Sequence, residues 1–195
     1  MSVSRRSAIS SLFTLALLCL APGSSSAQQA AAPRVALKTS VGEIVLELNA
    51  AKAPESVDNF LQYVKSGQYN GTVFHRVMNG FMIQGGGMDP DMKEKPTRAP
   101  IRNEAANGLK NEAYTVAMAR TQDPDSATAQ FFINVADNGM LDFPKPDGAG
   151  YAVFGKVVQG KEVVDKIKTV ATSNKAGHQN VPLKPIVITS ARVLP

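Results

Sequence analysis

The segment 72–86 constrains the fold of this chain more strongly than any other. It holds two short runs of residues with high β propensity on either side of an Asn79-Gly80 pair, and this arrangement favours a tight β-hairpin. One run carries Arg76 and the other carries Gln84, and both polar residues stand among large apolar ones. The segment therefore predicts two paired strands that bring a cation and an amide close together.

Strand alternation sorts the side chains of this hairpin into two faces. Arg76 is expected on the same face as Phe74 and Met78, and His75 on the opposite face. A cation and an amide beside aromatic and thioether groups are typical of a peptide-binding groove, although an ordinary barrel strand whose Arg76 only lies over apolar surface stays open as an alternative. Beyond the turn, the predicted faces hold Met82 with Gln84, and Phe81 with Ile83.

The N-terminus predicts a cleaved signal peptide, residues 1–27. Arg5 and Arg6 form a positively charged start, residues 12–21 form a short apolar core, and Ala27 ends a run of small residues that suits cleavage. The mature chain is expected to begin near Gln28. Residues 28–33 are then expected to form a disordered leader.

Two variants of this export prediction deserve comparison. Ser4-Arg5-Arg6 leaves a twin-arginine route open beside ordinary secretion. A lipid anchor at Cys19 is disfavoured, because Leu17 and Leu18 are larger than such a site accepts. No later segment approaches the about 20 apolar residues of a membrane span. We therefore expect a soluble, exported protein without a membrane anchor.

Composition limits the domain organisation and the partners. Cys19 is the only cysteine and leaves with the signal, so residues 34–195 are expected to form one domain stabilised by a core without disulfides. The full chain has 21 basic and 16 acidic residues; without Arg5 and Arg6, 19 basic residues remain and the net charge is +3. This excess is scattered, which argues against nucleic acid as a partner.

Periodicity predicts many short strands and two isolated helices. One amphipathic helix begins at Pro54 and ends near Gly67, and a second follows Gly160. This pattern favours an all-β sandwich or barrel over alternating βαβ units, and strands at both ends of the domain would let the sheet close. Besides the central hairpin, strands are predicted at 34–39, 44–48, 113–119, 130–135, 151–158 and 185–194, with loops at 85–111, 120–127 and 142–150.

Four separated blocks carry a resemblance to a known family: Phe74–Val77, Phe81–Gly86, Gln130–Ile133 and Val153–Val157. Their order and residues resemble the signature of the cyclophilin family of peptidyl-prolyl cis-trans isomerases, over residues 34–194. Together with the export signal, the chain is most similar to periplasmic bacterial cyclophilins, which implies a periplasmic location. The resemblance also implies a closed eight-stranded antiparallel β-barrel capped by two α-helices, with the substrate in a groove on the outside.

The resemblance implies a role for each of a set of residues in binding and isomerising proline-containing or unfolded polypeptides. Rotation about an X-Pro bond makes and breaks no covalent bond, so it needs neither a nucleophile nor a metal. A cation can donate a hydrogen bond to the prolyl nitrogen as that nitrogen gains a lone pair. The implied catalytic residues are Arg76 and Gln84, and the implied substrate-binding residues are Phe81, Met82, Ala119, Arg120, Gln130, Phe132, Met140, Leu141 and Tyr151.

The chain departs from the best-known eukaryotic cyclophilins at two of these positions. Met140 stands where they carry a tryptophan that helps to bind the cyclic peptide cyclosporin, and the chain has no tryptophan at all. We therefore expect weak cyclosporin binding with catalysis retained. Tyr151 stands where they have a histidine at the rim of the pocket.

Other candidate chemistry is disfavoured. His75 tempts a general-base interpretation, but alternation places it away from Arg76 and the reaction needs no base. His178 is expected in a loop flanked by glycine, and two lone histidines without cysteines do not make a zinc site. Gly85-Gly86-Gly87 is expected to serve backbone geometry. We expect neither a metal nor a cofactor.

One rival function comes from another class. A non-catalytic chaperone could use the same groove to hold unfolded segments, although an apolar groove alone would not need both Arg76 and Gln84. Since no exposed apolar stripe is evident, a monomer is expected.

Overall fold

The structure, a computed structural model, describes Met1 and residues 32–195. The predicted signal peptide and most of the predicted leader therefore lie outside the described residues. The strands are β1 (Arg34–Thr39), β2 (Gly42–Leu48), β3 (Phe74–Met78), β4 (Met82–Gly85), β5 (Thr115–Met118), β6 (Phe131–Asn134), β7 (Val153–Gln159), β8 (Thr172–Lys175), β9 (His178–Pro182) and β10 (Ile188–Val193), and the helices are α1 (Pro54–Lys65) and α2 (Lys161–Lys168).

Eight of the strands form one antiparallel sheet in the order β10-β1-β2-β7-β5-β6-β4-β3. The strands predicted at 34–39 and 44–48 are confirmed as β1 and β2, and they pair as a hairpin with Thr39 opposite Gly42 at its turn. The central hairpin is also confirmed, with Met78 paired to Met82 across Asn79-Gly80. The mostly β class and the two helices therefore agree with the sequence.

The closed barrel is not confirmed, because the sheet is an open half-barrel that curves through 244°. The two edge strands of the sheet are β10 and β3. The residues just before them, Val187 and Val73, form an isolated β-bridge. Two backbone hydrogen bonds flank the bridge, from the Phe74 N–H to Ile186 (3.0 Å) and from the Ile188 N–H to Thr72 (2.7 Å). The two edges approach each other through these few groups instead of a full ladder of pairs.

An apolar core lies on one face of the sheet, and both helices contribute to it. Helix α1 begins at Pro54, whose missing N–H and fixed φ suit a first helical turn, and it buries Phe60 and Tyr63. Helix α2 buries Val163, Val164 and Ile167. Phe131 and Phe154 also lie in this core. We call the buried apolar residues on this face, from the sheet and both helices, the inner core. None of the helices among the described residues has the length and apolar character needed to cross a membrane.

A β-bulge corrects the predicted faces of β3. Phe74 pairs with Gly85 and Arg76 pairs with Gln84, so His75 is an extra residue that the partner strand does not match. Phe74 therefore packs in the inner core with Val77. The prediction that Phe74 shares a face with Arg76 is wrong.

Phe81 corrects a second prediction about faces. Strand β4 begins at Met82, so Phe81 belongs to the turn and strand alternation does not reach it. Its side chain packs on the same side as Met82, whereas Ile83 lies in the inner core. Phe81 and Ile83 therefore do not share a face.

The hairpin of β8 and β9 was absent from the predicted elements. Lys175 pairs with His178 across Ala176-Gly177, and both turn residues have positive φ (50° and 82°). Such a turn suits a two-residue hairpin, but Ala-Gly is a weaker signal for it than Asn-Gly. Because both strands are short and mostly polar, the only local signal is the glycine next to His178, and that signal predicts a loop.

Candidate functional site

A second apolar cluster lies on the face of the sheet opposite the inner core. Strand β6 shows the division, because Phe131 and Ile133 lie in the inner core and Phe132 points the other way. We call this set the outer cluster; its buried members are Met82, Ala117, Phe132, Leu141 and Val153, and Met78, Phe81, Leu109, Ala119 and Tyr151 pack against them with partial exposure.

The outer cluster unites most of the predicted substrate-binding residues. Neighbouring strands place Ala117 opposite Phe132 and Phe132 opposite Gln84. The Tyr151 ring meets Phe132 edge-on at 5.8 Å between centroids. Met140 is an exception, because its side chain is 56% exposed beside the buried Leu141 and lies outside the cluster. The partly exposed members make the cluster an apolar surface whose chemistry suits a proline ring.

Three polar side chains form a chain along the edge of this cluster. The Arg76 Nη1 donates to Gln84 Oε1 at 3.4 Å, and Gln84 Nε2 donates to Gln130 Oε1 at 2.9 Å. Strand pairing sets Arg76 directly opposite Gln84. Within the described part of the chain, no carboxylate forms an ion pair with Arg76. Arg76, which is partly buried, therefore keeps N–H donors for a ligand.

Gly87 gives Gln130 the room it occupies. A Cβ added at Gly87 would lie 2.4 Å from Gln130 Cγ, closer than packed atoms approach. The predicted backbone role of the triple glycine is confirmed at Gly86, where φ is 87°. The sequence did not indicate that Gly87 makes space for a polar residue of the site.

Arg120 contacts the aromatic rim instead of facing outwards. Its guanidinium carbon lies 4.3 Å from the centre of the Tyr151 ring, and the side chain is only 3% exposed. It donates to both carboxylate oxygens of Asp147 (2.9 and 2.7 Å) and to the Gly150 carbonyl (3.0 Å). The hydrogen bond from Arg120 holds the pKa of Asp147 below its usual range. Arg120 therefore orients Tyr151 and the loop before it.

A buried network of amides supports the other side of the cluster. The Asn138 Nδ2 donates to the Phe81 carbonyl and to Asn134 Oδ1, both at 2.7 Å. Asn134 Nδ2 in turn donates to Asn111 Oδ1 at 3.2 Å, and the Asn111 N–H donates to Asp142 Oδ1 at 2.7 Å. The network holds the backbone at two places around the outer cluster, at Phe81 and beside Leu141.

Asp142 is stabilised as a carboxylate at the end of this network. Burial would raise its pKa, but hydrogen bonds from Asn111 and the charge of Lys110 outweigh burial and hold the pKa below its usual range. No sequence signal marks these amides, because Asn111 and Asn138 stand alone in loops, Asn134 ends β6, and their spacing fits no motif.

His75 lies beside Arg76, contrary to the expectation that the two face apart. Both line a cavity of about 380 Å³ together with Gln84, Met88 and Gln130, and residues 177–180 close its far side. Burial, with the neighbouring charges of His178 and Arg76, lowers the pKa of His75 to about 4 against a weaker opposing effect of the Val73 carbonyl. The imidazole is thus neutral at neutral pH.

Comparison with known proteins agrees with this arrangement. The family model described as cyclophilin type peptidyl-prolyl cis-trans isomerase matches residues 34–193. A peptidyl-prolyl cis-trans isomerase of Streptomyces antibioticus, cyp18, is 63% identical over 162 residues, which span 82% of this chain and 98% of the relative. Peptidyl-prolyl cis-trans isomerase B of Escherichia coli is 57% identical over 161 residues, spanning 82% of this chain and 98% of the relative.

A solved structure shows the same fold. A cyclophilin type peptidyl-prolyl cis-trans isomerase of Cryptosporidium parvum superposes with a TM-score of 0.72 at 26% sequence identity, covering 84% of this chain and 98% of its own. The same protein in the presence of the dipeptide Ala-Pro gives a TM-score of 0.71, also at 26% identity, covering 83% of this chain and 99% of its own.

Proposed function

The chain belongs to the cyclophilin family of peptidyl-prolyl cis-trans isomerases, and from that premise we propose that Arg76 is the group that accelerates rotation about the X-Pro bond. The activity itself is that of the family, EC 5.2.1.8, on proline-containing polypeptides. The observation that carries the proposal is the position of the Arg76 guanidinium, paired with Gln84 at the edge of the outer cluster.

The chemistry of the amide bond explains why a cation is needed there. Resonance gives the X-Pro bond a rotational barrier of about 18–20 kcal/mol, and rotation turns the prolyl nitrogen into a pyramidal centre with a lone pair. An Arg76 N–H can donate to that lone pair only in the twisted state. Interactions that strengthen only in the transition state raise the rate, whereas equal binding of both states does not.

The outer cluster supplies the orientation. In this proposal the proline ring packs on Phe132, with Met82, Leu141 and Phe81 around it, and the second N–H of Gln84 holds a carbonyl that flanks the proline. An acceleration of about 10⁵ needs roughly 7 kcal/mol, which a charged hydrogen bond together with fixed orientation supplies. The proposed mechanism is therefore energetically sufficient.

The other predicted contacts extend the same proposal. Gln130 holds Gln84 in place, and Ala119, whose N–H donates to the Gln130 carbonyl at 3.0 Å, borders the pocket. Tyr151 closes the rim and Arg120 positions it. Met140 meets the substrate from its exposed position, which makes its contribution the smallest of the set.

The relaxation of a cis X-Pro tetrapeptide tests the role of Arg76. We expect the purified protein to accelerate relaxation and Arg76→Ala to lose about 10²–10³ in kcat/KM, as expected for the removal of one preorganised donor. Arg76→Lys keeps the charge but loses the forked geometry, so it should recover only part of the loss. The control is Arg192→Ala, an exposed arginine far from the cluster in sequence. Equal activity of Arg76→Ala and the parent protein would refute the proposal.

We propose further that the protein assists the folding of exported proteins in the periplasm. The predicted signal peptide of residues 1–27 and the bacterial relatives support this role. Fractionation of cells that express the full chain, with N-terminal sequencing of the product, tests it. The expected result is a soluble periplasmic protein that begins near Gln28 and migrates as a monomer; an uncleaved product in the cytoplasm would contradict it.

The chaperone alternative is separated from isomerisation by a client without proline. An isomerase should leave the aggregation of such a client unchanged and should speed the refolding of a client limited by X-Pro isomerisation. Suppressed aggregation that survives in Arg76→Ala would instead favour a holding function.

A further inference from the structure

We propose that Asn79, in the turn between β3 and β4, is a site of spontaneous deamidation, and that its isoaspartate product lowers the activity of the protein. Asparagine deamidates when the backbone nitrogen of the next residue attacks its side-chain carbon. A glycine in that position favours the attack, because it has no side chain to obstruct it and its backbone is the most flexible. The chain has four such pairs, Asn70-Gly71, Asn79-Gly80, Asn107-Gly108 and Asn138-Gly139.

The Asn79-Gly80 pair is exposed, and its reacting groups have no protein partner. Neither the Asn79 side chain nor the Gly80 N–H makes a hydrogen bond with any described residue. A Cβ added at Gly80 would meet no atom within 4 Å beyond its chain neighbours, so the attacking nitrogen is not crowded. Asn79 also borders a cavity of about 390 Å³. Water therefore reaches the pair.

Asn70 is exposed as well, but both of its reacting groups are held. Its Oδ1 accepts a hydrogen bond from the Ala191 N–H at 3.0 Å. The Gly71 N–H, which would have to attack, donates to the Ile188 carbonyl at 2.8 Å. Deamidation of this pair must first break two hydrogen bonds to β10. Exposure alone therefore does not make an Asn-Gly pair reactive.

The remaining two asparagines are restrained through their side chains. The Asn107 Oδ1 accepts from the Leu109 N–H at 2.9 Å, and its Nδ2 donates to the Val153 carbonyl at 3.0 Å. Asn138 is buried, and its Nδ2 donates twice within the amide network. Each of these amide groups would have to leave its partners before it could react. The structure therefore separates Asn79 from the other three sites.

The reaction needs only water and a base. Hydroxide removes the proton of the Gly80 N–H, the nitrogen forms a bond to Asn79 Cγ, and the bond from Cγ to Nδ2 breaks, so that Nδ2 takes a proton from water and leaves as ammonia. The product is a five-membered succinimide. Water then opens the ring at one of its two carbonyls. Cleavage between the Gly80 nitrogen and Cγ gives aspartate, and cleavage on the other side of that nitrogen gives isoaspartate.

Isoaspartate lengthens the backbone of the turn by one atom, because the chain then runs through Cβ and Cγ. The ends of the turn are fixed, since the Phe81 N–H donates to the Met78 carbonyl at 3.1 Å and Met78 pairs with Met82. The Phe81 carbonyl accepts from the Val135 N–H at 3.0 Å, and the ring packs on the outer cluster. The added atom must therefore displace Phe81 or break its bonds.

The effect on activity rests on the proposed function, since it assumes that the substrate contacts Phe81. A misplacement of about 1 Å at a site that orients a substrate can cost up to about 100-fold in rate. We therefore expect the isoaspartate form to lose about ten- to 100-fold in kcat/KM. The deamidation itself depends only on the turn and not on the catalytic mechanism.

Incubation of the purified full-length protein at mildly alkaline pH, followed by peptide mapping with mass spectrometry and isoaspartate-specific methylation, tests the site. The hydrogen bonds that must break at the other three pairs should make conversion at Asn79 at least about tenfold faster than at any of them. In guanidinium chloride, all four pairs should convert at similar rates, because the fold no longer restrains them. Equal rates at the four pairs of the folded protein would overturn the site.

Variants separate the modification from general ageing of the protein. Asn79→Gln should keep its mass and its activity during the same incubation, because glutamine would have to form a less favourable six-membered ring. Asn174→Gln, at an exposed asparagine that no glycine follows, is the matched control and should lose activity as fast as the parent protein. Freshly prepared Asn79→Asp carries the new charge without the added backbone atom, so it should start within about twofold of the parent kcat/KM, as expected for an exposed position.

The activity measurements separate this inference from the proposed function. If the purified isoaspartate form has the parent kcat/KM while Arg76→Ala is impaired, the effect on activity is overturned and the proposed function stands. If the fresh parent protein does not accelerate tetrapeptide isomerisation, the proposed function fails, whereas selective conversion at Asn79 would still support the modification site.

Discussion

The inner and outer faces of strands β4, β5 and β6 differ in composition, although alternate residues of the same strands form them. The inner face presents Ile83, Val116, Phe131 and Ile133, all fully buried, to a core of aromatic rings. The outer face alternates with it and presents Gln84 together with buried apolar groups. The period of two along a strand thus separates groups that stabilise the fold from groups that meet a substrate.

The side chains of the two faces also make different kinds of contact. Phe131 contacts Phe60 and Tyr69 edge-on at 5.4 and 5.5 Å between centroids. On the outer face, the Gln84 side-chain oxygen accepts from Arg76 and its nitrogen donates to Gln130. The partially exposed members of the outer cluster leave apolar surface for a ligand. The comparison predicts that inner substitutions act on stability and outer substitutions on catalysis.

The adjacent phenylalanines of β6 give the largest expected contrast. Phe131→Ala should cost about 4 kcal/mol in the free energy of unfolding, because it opens a cavity among aromatic rings. Phe132→Ala should cost roughly 2 kcal/mol, since one side of its cluster borders the binding surface, but it should lower kcat/KM about 100-fold. Urea unfolding and the tetrapeptide assay measure the two effects. Equal effects of the two variants on both quantities would contradict the division into faces.

His75 tests the division into a stabilising face and a functional face, because it is buried and yet lies next to Arg76 at the site. Its pKa is about 4 in the folded protein, whereas an exposed histidine has a pKa near 6.5. As the pH falls from about 6.5 to 4, the unfolded chain therefore binds a proton that the folded chain excludes, and stability falls by roughly 3 kcal/mol, the loss ending below pH 4.

Unfolding in urea between pH 7 and 4 measures this loss. His75→Asn has no ionisable group at this position, so its stability should fall less over the same range. Parallel pH profiles for the parent protein and His75→Asn would show that the histidine is not held neutral by the fold.

The amide network predicts an effect on both quantities at once. Asn138→Ala leaves the Phe81 carbonyl and Asn134 Oδ1 without their shared donor, which should cost about 2 kcal/mol in stability. Because the change loosens the pocket wall and spares Arg76, KM should rise more than kcat falls. Asn174→Ala, an exposed asparagine, is the control. A fall in kcat at unchanged KM would assign Asn138 another role.

The smallest expected effect concerns the exposed rim. Met140→Trp should leave stability within about 0.5 kcal/mol of the parent value, as usual for surface positions. It should strengthen cyclosporin binding about tenfold, because an aromatic anchor at an interface contributes on the order of 1–2 kcal/mol. Inhibition titrations of both proteins measure the change. Nanomolar inhibition of the parent protein would contradict the expected weak binding.

Hydrophobic periodicity predicted much of the fold, and particular residues show where it failed. The central hairpin followed from Asn79-Gly80, and helix α1 from Pro54 and its apolar spacing. The bulge at His75 could not be predicted, because an unmatched residue is defined only by the register of the partner strand. The hairpin at 172–182 was missed because its polar strands depend on packing against β3.

The sequence by itself determined the class of fold, the elements of the sheet and the family, because strand period, turn residues and the four blocks are local properties of the chain. It also placed Arg76 and Gln84 on facing strands of one hairpin. Only the tertiary structure decided that the sheet stays an open half-barrel, that Arg120 lies against Tyr151, and that His75 joins Arg76 at one cavity. These outcomes depend on contacts between residues far apart in the chain, and no local pattern encodes them.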